Sequence, residues 1–278
     1  MSTQNKKLLC TVITVVLLLA LLPGCGIKAK DARAPVVVLG AMECEYSTLA
    51  AALENPEVTS YGGYEFTRGT LDGYPVIAVR CLIGMVNSAA ATTLAVDNFS
   101  PYCVIMQGTA GGHSLELHQG DIVLGESVAE LGSYYSPHRD EGEGSDFTQW
   151  TYPGVELPVD GEIQYLQILH SDEPLMEIAE SVSYDGGSLV RGTIGSADAW
   201  NKEIDKINFC HEVLGSDCEE METFAVAQVC RQLNVPFLGI RIISNSELYP
   251  EEAFSEQFGI DCQNYTLDVI RALIARMD

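Results

Sequence analysis

The sequence predicts an α/β fold, a largely parallel sheet covered on both faces by helices. Short aliphatic runs that read as buried strands alternate along the chain with stretches of helical spacing. Those runs are apolar throughout rather than alternating, as strands covered on two sides require. The chain has 278 residues, 47% of them hydrophobic, so it can bury one large core, and no composition break or internal repeat divides it.

The elements follow in order. "APVVVLG" (34–40) is a first buried strand ending on glycine, and "ECEYSTLAAAL" continues with helical spacing. "EFTRGTLDGYPVIAVRCLIG" predicts a hairpin that turns at Asp72-Gly73, followed by the helix "MVNSAAATTLAVDNF". "YCVIMQG" and "GDIVLGESV" supply two more strands, and "GTAGG" between them reads as a flexible turn. Residues 134–161 are rich in Gly, Pro, Asp and Ser and read as a long surface excursion. "EIQYLQILHSDEPLMEIAESV" has broadly helical spacing, interrupted near Pro174. Strand "SLVRGTIGSA", helix "METFAVAQVCRQLN", strand "VPFLGIRIIS" and helix "DCQNYTLDVIRALIARM" complete the pattern.

The N-terminus reads as a processing signal. Lys6 and Lys7 precede an apolar run at 8–22, too short for a comfortable membrane span. The ending "LPGC" resembles a bacterial lipobox, which makes Cys25 the acylated first residue of an exported lipoprotein. Pro23 is unusual in such a box, so ordinary secretion or an uncleaved anchor stays open. The expected organisation is a signal at 1–25, a polar tether at 26–34 and one domain at 35–278. Of nine cysteines, none has metal-site spacing. Cys210 and Cys218 could pair in an oxidising compartment, but no disulfide framework is expected. With 39 acidic and 15 basic residues, the net charge near -24 argues against nucleic acid or an anionic membrane surface as partner.

In a sheet of this kind, ligands collect beyond the carboxyl ends of the strands. Polar residues gather there in "GAMECE", "MQGTAGG", "IGSADAW" and "RIISN", and in "CEEMETFA" at a helix start. Taken singly, each has an ordinary explanation. The glutamates of "EEME" suit a helix N-terminus, Glu43 and Glu45 are first-turn acids, and Arg241 in "RIISN" would reach along the strand to solvent.

Together and in order, these segments resemble the purine nucleoside phosphorylase and nucleosidase superfamily, nearest its methylthioadenosine/S-adenosylhomocysteine nucleosidase branch. The resemblance runs from about Val36 to the C-terminus. It implies a three-layer α/β/α sandwich around a mixed, partly barrel-like sheet, in a homodimer whose partner contributes to the pocket. It implies that Glu45 activates the attacking water, as glycosidic hydrolysis requires a base near the anomeric carbon. Glu222 would accept from the ribose hydroxyls beside Met221, and Arg241 would pair with that carboxylate. Trp200 would stack on the purine and the Asn201 backbone would meet the base edge. Met42, Thr109, Ala110, Gly111, Glu220 and Ser244 fall among the substrate-binding positions, and Phe254 or Phe258 would close the pocket. No metal or organic cofactor is implied.

Two positions refine the expected chemistry. The family's phosphorylases carry an arginine just before the glycine segment, where this chain has Met106-Gln107, so water is the expected nucleophile. The adenine-specific nucleosidases end their last strand on Ser-Asp, whose aspartate protonates the leaving base; here it is Ser244-Asn245. An amide donates a hydrogen bond but no proton. Three readings stay open: a 6-oxopurine nucleosidase, futalosine included; a methylthioadenosine nucleosidase that is slow or uses another acid such as Glu247; and an exported nucleoside-binding protein with little catalysis. Retention of Glu45, Glu222 and Arg241 favours catalysis.

Overall fold

The computed structural model describes residues 33–277. The expected signal, Cys25 and nearly all of the tether lie outside the described residues. The first strand shows how the sheet is covered. All five residues of β1 (Val36–Gly40) are buried. Successive side chains of a strand point to opposite faces, so Val36 and Val38 enter one apolar layer while Val37 and Leu39 enter another. The first layer is covered by α1 (Ser47–Ala52), α3 (Glu173–Glu180) and α6 (Glu256–Met277). The second is covered by α2 (Met85–Phe99) and α5 (Thr223–Leu233). The result is the α/β/α sandwich that the resemblance implied.

The sheet is mixed rather than largely parallel. β1 pairs in parallel with β4 (Tyr74–Arg80) and with β5 (Cys103–Gly112). From β4 it continues antiparallel through β3 (Tyr64–Leu71) to β2 (Glu54–Tyr61) at the edge. The β3–β4 turn is the expected one, with Asp72 and Gly73 both at positive φ, 49° and 72°, as the tight hairpin demands. β2 was not expected; it is largely exposed and lacks the apolar pattern of a core strand.

On the other side of β5 the sheet closes on itself. The order runs β5, β12 (Phe237–Asn245), β6 (Ile122–Glu130), β10 (Leu189–Ser196), β11 (Cys218–Glu220) and back to β5. This five-stranded ring encloses its own small core of Ala110, Leu117, Val123, Ile194, Cys218 and Ile243. Closure removes two sheet edges and brings the ends of β5, β11 and β12 together. It also changes the reading of "GTAGG": β5 carries on through Gly112 as a ladder strand, paired to β12 on one side and β11 on the other.

The segment expected to be helical between 162 and 182 divides. β8 (Glu162–Leu166) pairs with β7 (Val155–Val159), β9 (Ile168–His170) adds to β6, and helix begins only at Glu173. Pro174 sits in the first turn, where its missing N–H costs nothing. The β7–β8 hairpin therefore belongs to the excursion. A short helix α4 (Ile204–Glu212) and β11 were also not anticipated, each being brief and only partly apolar. The cysteines at 210 and 218 are both buried free thiols.

Candidate active site

The chain turns sharply after β1 into a single 3-10 turn, Glu43–Glu45, which folds Glu45 back over the strand end. Its carboxylate is only 1% exposed and accepts four hydrogen bonds. Oε2 takes the backbone N–H groups of Ala41 and Met42, each at 3.0 Å. Oε1 takes Thr109 N–H at 2.7 Å and the Thr109 hydroxyl at 2.8 Å. Thr109 lies on β5, so β1 and β5 hold Glu45 between them. Gly108 makes this approach possible. A Cβ there would stand 2.6 Å from Arg241 Nη1 and 2.7 Å from Glu45 Cδ, so no other residue fits.

Arg241, in the middle of β12, is 1% exposed, and all its nitrogens are engaged. Nη1 donates to Thr109 O at 3.2 Å. Nε and Nη2 donate to Thr223 Oγ1 at 3.1 and 3.0 Å. Nη2 also pairs with Glu220 and lies 3.3 Å from Glu222 Oε2. Burial alone would lower the pKa of this guanidinium; Glu220, Glu222 and Glu45 outweigh it and raise it. The strand-end route to solvent is excluded.

Glu220 and Glu222 play different parts. Glu220 caps α5, accepting from the N–H groups of Glu222 (3.0 Å) and Thr223 (3.0 Å to Oε2), from the Thr223 hydroxyl (2.8 Å) and from Ser196 Oγ. It lines the cavity, but its oxygens are committed to the protein. Glu222 is less occupied. Oε1 accepts from Gly84 N–H at 2.9 Å and Oε2 faces Arg241. Burial pushes its pKa up to about 8, with Glu220 and Glu45 adding to the rise and Arg241 and the Gly84 N–H opposing it.

These groups converge on one cavity of about 180 Å³. Its wall includes Glu45, Met42, Thr109, Ala110, Gly111, Met221, Glu222 and Ser244, with Trp200 and Asn201 opposite. Arg241 lies behind the carboxylates rather than in the wall. Trp200 is 61% exposed at the mouth, edge-to-face with Phe254 at 6.1 Å. Phe254 lines the cavity, whereas Phe258, on α6 itself, packs against the first apolar layer. Asn245, 6% exposed, ends β12; its Oδ1 accepts from Ser244 Oγ at 3.0 Å, so Nδ2 remains a donor beside Gly111.

Asn201 lines the cavity; its N–H donates to Glu219 Oε1 at 3.0 Å, while Asn201 Nδ2 holds Oε2 at 2.7 Å. Glu219 and His113, both buried cavity residues, were not anticipated. Glu219 opens the quoted "EEME" and His113 directly follows "GTAGG", but only the closing of β11 onto β5 turns them inward. Glu247, considered as an alternative acid, reaches the wall but is paired with Lys202 at 2.8 Å.

A family model described as "Phosphorylase superfamily" matches residues 35–275. The chain belongs to the phosphorylase superfamily. Among curated superfamily members, the 5'-methylthioadenosine/S-adenosylhomocysteine nucleosidase of Geobacillus kaustophilus (strain HTA426) is 32% identical over 243 residues, 86% of this chain and 96% of that one. The nucleosidase of the same name from Tolumonas auensis (strain DSM 9187 / NBRC 110442 / TA 4) is 32% identical over 240 residues, 85% of this chain and 97% of that one. Among solved superfamily structures, the Neisseria meningitidis nucleosidase in complex with methylthio-immucillin-A superposes with a TM-score of 0.71 at 26% identity, covering 86% of this chain and 100% of that one.

The raised Glu222 carboxyl gives stability a pH dependence of known sign. The folded chain keeps this proton to about pH 8, whereas an ordinary glutamate loses it near 4.5. The folded state thus binds more protons between those values, and stability falls as pH rises through the window. Glu222→Gln removes that dependence. In urea unfolding across the pH series, the stability of wild type relative to Glu222→Gln is expected to decline from about pH 4.5 to about pH 8. A difference that is constant with pH would contradict the assignment.

Proposed function

We propose that this chain is a purine nucleosidase that hydrolyses an N-glycosidic bond with water as nucleophile. The observation that carries the reading is the convergence of Glu45 and Glu222, backed by Arg241, on one cavity whose described wall holds no lysine or arginine. A phosphate co-substrate would need such a cation. Gln107, at the position where the phosphorylases have arginine, is buried, spends its amide on Glu45 O and stays outside the wall.

The chemistry follows from the geometry. Of the four donors on Glu45, three are fixed backbone N–H groups and one is the Thr109 hydroxyl. The hydroxyl can rotate away, which frees one lone pair on Oε1 to orient and deprotonate a water. Glu222 then accepts from vicinal sugar hydroxyls, which together with Arg241 behind it favour the carboxylate and release the proton that burial holds in the free protein. Three carboxyl groups around one guanidinium give the sugar site an excess of negative character. That field opposes anions and favours the oxocarbenium-like transition state of glycosidic cleavage. Trp200 offers a face on which a planar base stacks, with Phe254 beside it. Asn245 assists departure of the base by a hydrogen bond and supplies no proton.

The purified protein is expected to release free base from at least one of methylthioadenosine, S-adenosylhomocysteine, adenosine, inosine, guanosine and futalosine in phosphate-free buffer. Glu45→Gln should lower that rate by about 10²–10⁴-fold, and Asn245→Asp should raise the rate on adenine nucleosides. A requirement for phosphate contradicts the hydrolase, and base-free melting shifts alone would favour the binding-protein alternative.

Two features of the assembly belong to the same proposal. Leu82, Ile83 and Val86 are exposed apolar side chains close in sequence, and Ile83 lines the cavity, which supports a homodimer in which the partner borders the site. Sedimentation equilibrium should give the mass of two chains, and a monomer at micromolar concentration would refute it. Export with a lipid on Cys25 rests on the N-terminal sequence. Radiolabelled palmitate should enter the wild-type chain but not Cys25→Ala; labelling of both would refute the site.

A further inference from the structure

The cavity has a second polar end that the sugar chemistry leaves unused. Glu219 on β11 pairs with Gly111 on β5, and Gly111 pairs in turn with Asn245 on β12. Cross-strand partners project to the same face. A glycine floor is therefore flanked by a carboxyl on one side and a carboxamide on the other, two strand spacings apart, about 10 Å between backbones. No side chain rises from Gly111, where even a Cβ would lie 3.4 Å from Asn245 Nδ2. All three residues line the cavity, as does His113.

The hydrogen-bond pattern at each end is fixed by its neighbours. Ser216 Oγ donates its one proton to Cys218 O at 2.8 Å, so at 3.3 Å it must accept from His113 Nδ1. Burial lowers the pKa of this imidazole to about 3, with His211 and Lys206 adding to the effect, so it is neutral. Its proton is then on Nδ1, and Nε2 presents a lone pair. That lone pair faces Glu219 Oε2 across 3.8 Å. Glu219 in turn consumes the Asn201 N–H, the donor that would otherwise meet a base. Burial raises the pKa of Glu219, while the Asn201 N–H, Asn201 Nδ2 and Lys206 favour its ionised form. As a carboxylate, Glu219 makes its end of the cavity all acceptors, and at the Asn245 end Nδ2 has no protein acceptor among the described residues.

Resting on the nucleosidase reading, we propose that Glu219 and His113 form a base-recognition subsite that selects 6-oxopurines over 6-aminopurines. A 6-oxopurine carries a donor at N1, and guanine a second on its 2-amino group, which match a carboxylate and an imidazole lone pair. Its O6 and N7 are acceptors, matching the Asn245 amide. Adenine presents a lone pair at N1, which a carboxylate opposes. A site built to hydrogen-bond a group discriminates strongly against the analogue lacking it, because the buried partner is left unpaired.

Titration calorimetry with the free bases tests this without requiring turnover. Hypoxanthine and guanine should bind the full chain at least tenfold more tightly than adenine. Glu219→Gln, which places an amide donor opposite N1 at unchanged size, should shrink or reverse that ratio, and His113→Leu should weaken guanine more than adenine. Equal or tighter binding of adenine, no binding of any base, or a ratio unmoved in Glu219→Gln overturns the subsite. Tight 6-oxopurine binding with no base released from any nucleoside upholds the subsite and sinks the nucleosidase reading. Base release with adenine preferred does the reverse.

Discussion

The structure depends on the burial of one guanidinium. Arg241 sits in a strand with apolar neighbours, and a charge there is tolerable only if it is paired and fully hydrogen-bonded. Glu220 and Glu222 provide the counter-charge, Thr223 and the Thr109 carbonyl take the remaining N–H groups, and Gly108 leaves space for the approach. These partners come from β5, from β11 and from the start of α5, so the ring of strands and the capped helix must all be in place at once. The arginine is therefore a fastener of the fold as well as part of the site's electrostatics.

That fastening sets the division of labour among the acids. Glu220 is spent on the cap of α5 and on Arg241, which leaves Glu222 with free acceptor capacity toward the cavity. Glu45 is held from two strands with a single rotatable donor among its partners. Two carboxyl groups in one cavity thus differ in what they can do because their neighbours differ. In the proposed reaction, one would orient a water and the other would accept from a sugar.

Much of this was legible in the sequence, and the failures have physical causes. The strands β1, β5, β6 and β12 were read from pattern alone because burial on two faces leaves a mostly aliphatic run, and the helices α2, α5 and α6 because their apolar residues recur at helical spacing. β2 was missed because an exposed edge strand has no such signature, and β8 was taken for helix because its short, mostly exposed run carries no clear alternation. "GTAGG" was read as a turn, since glycine usually interrupts strands; only the ring closure shows why a glycine-rich strand end is needed. Glu45, Glu222 and Arg241 were found through resemblance, and the structure brings them together. Glu219 and His113 became visible only from the pairing of β11 with β5, a contact across more than a hundred residues that no local pattern encodes.

The central claim is that a buried, proton-holding Glu222 is the group that receives the sugar. Binding of an uncleavable C-nucleoside at pH 7, followed by calorimetry in buffers of different ionisation enthalpy, measures it most directly. If ribose hydroxyls and Arg241 together favour the carboxylate, binding should release a proton in wild type and none in Glu222→Gln. Tight binding with no proton released by the wild-type protein, or release undiminished in Glu222→Gln, would contradict the account.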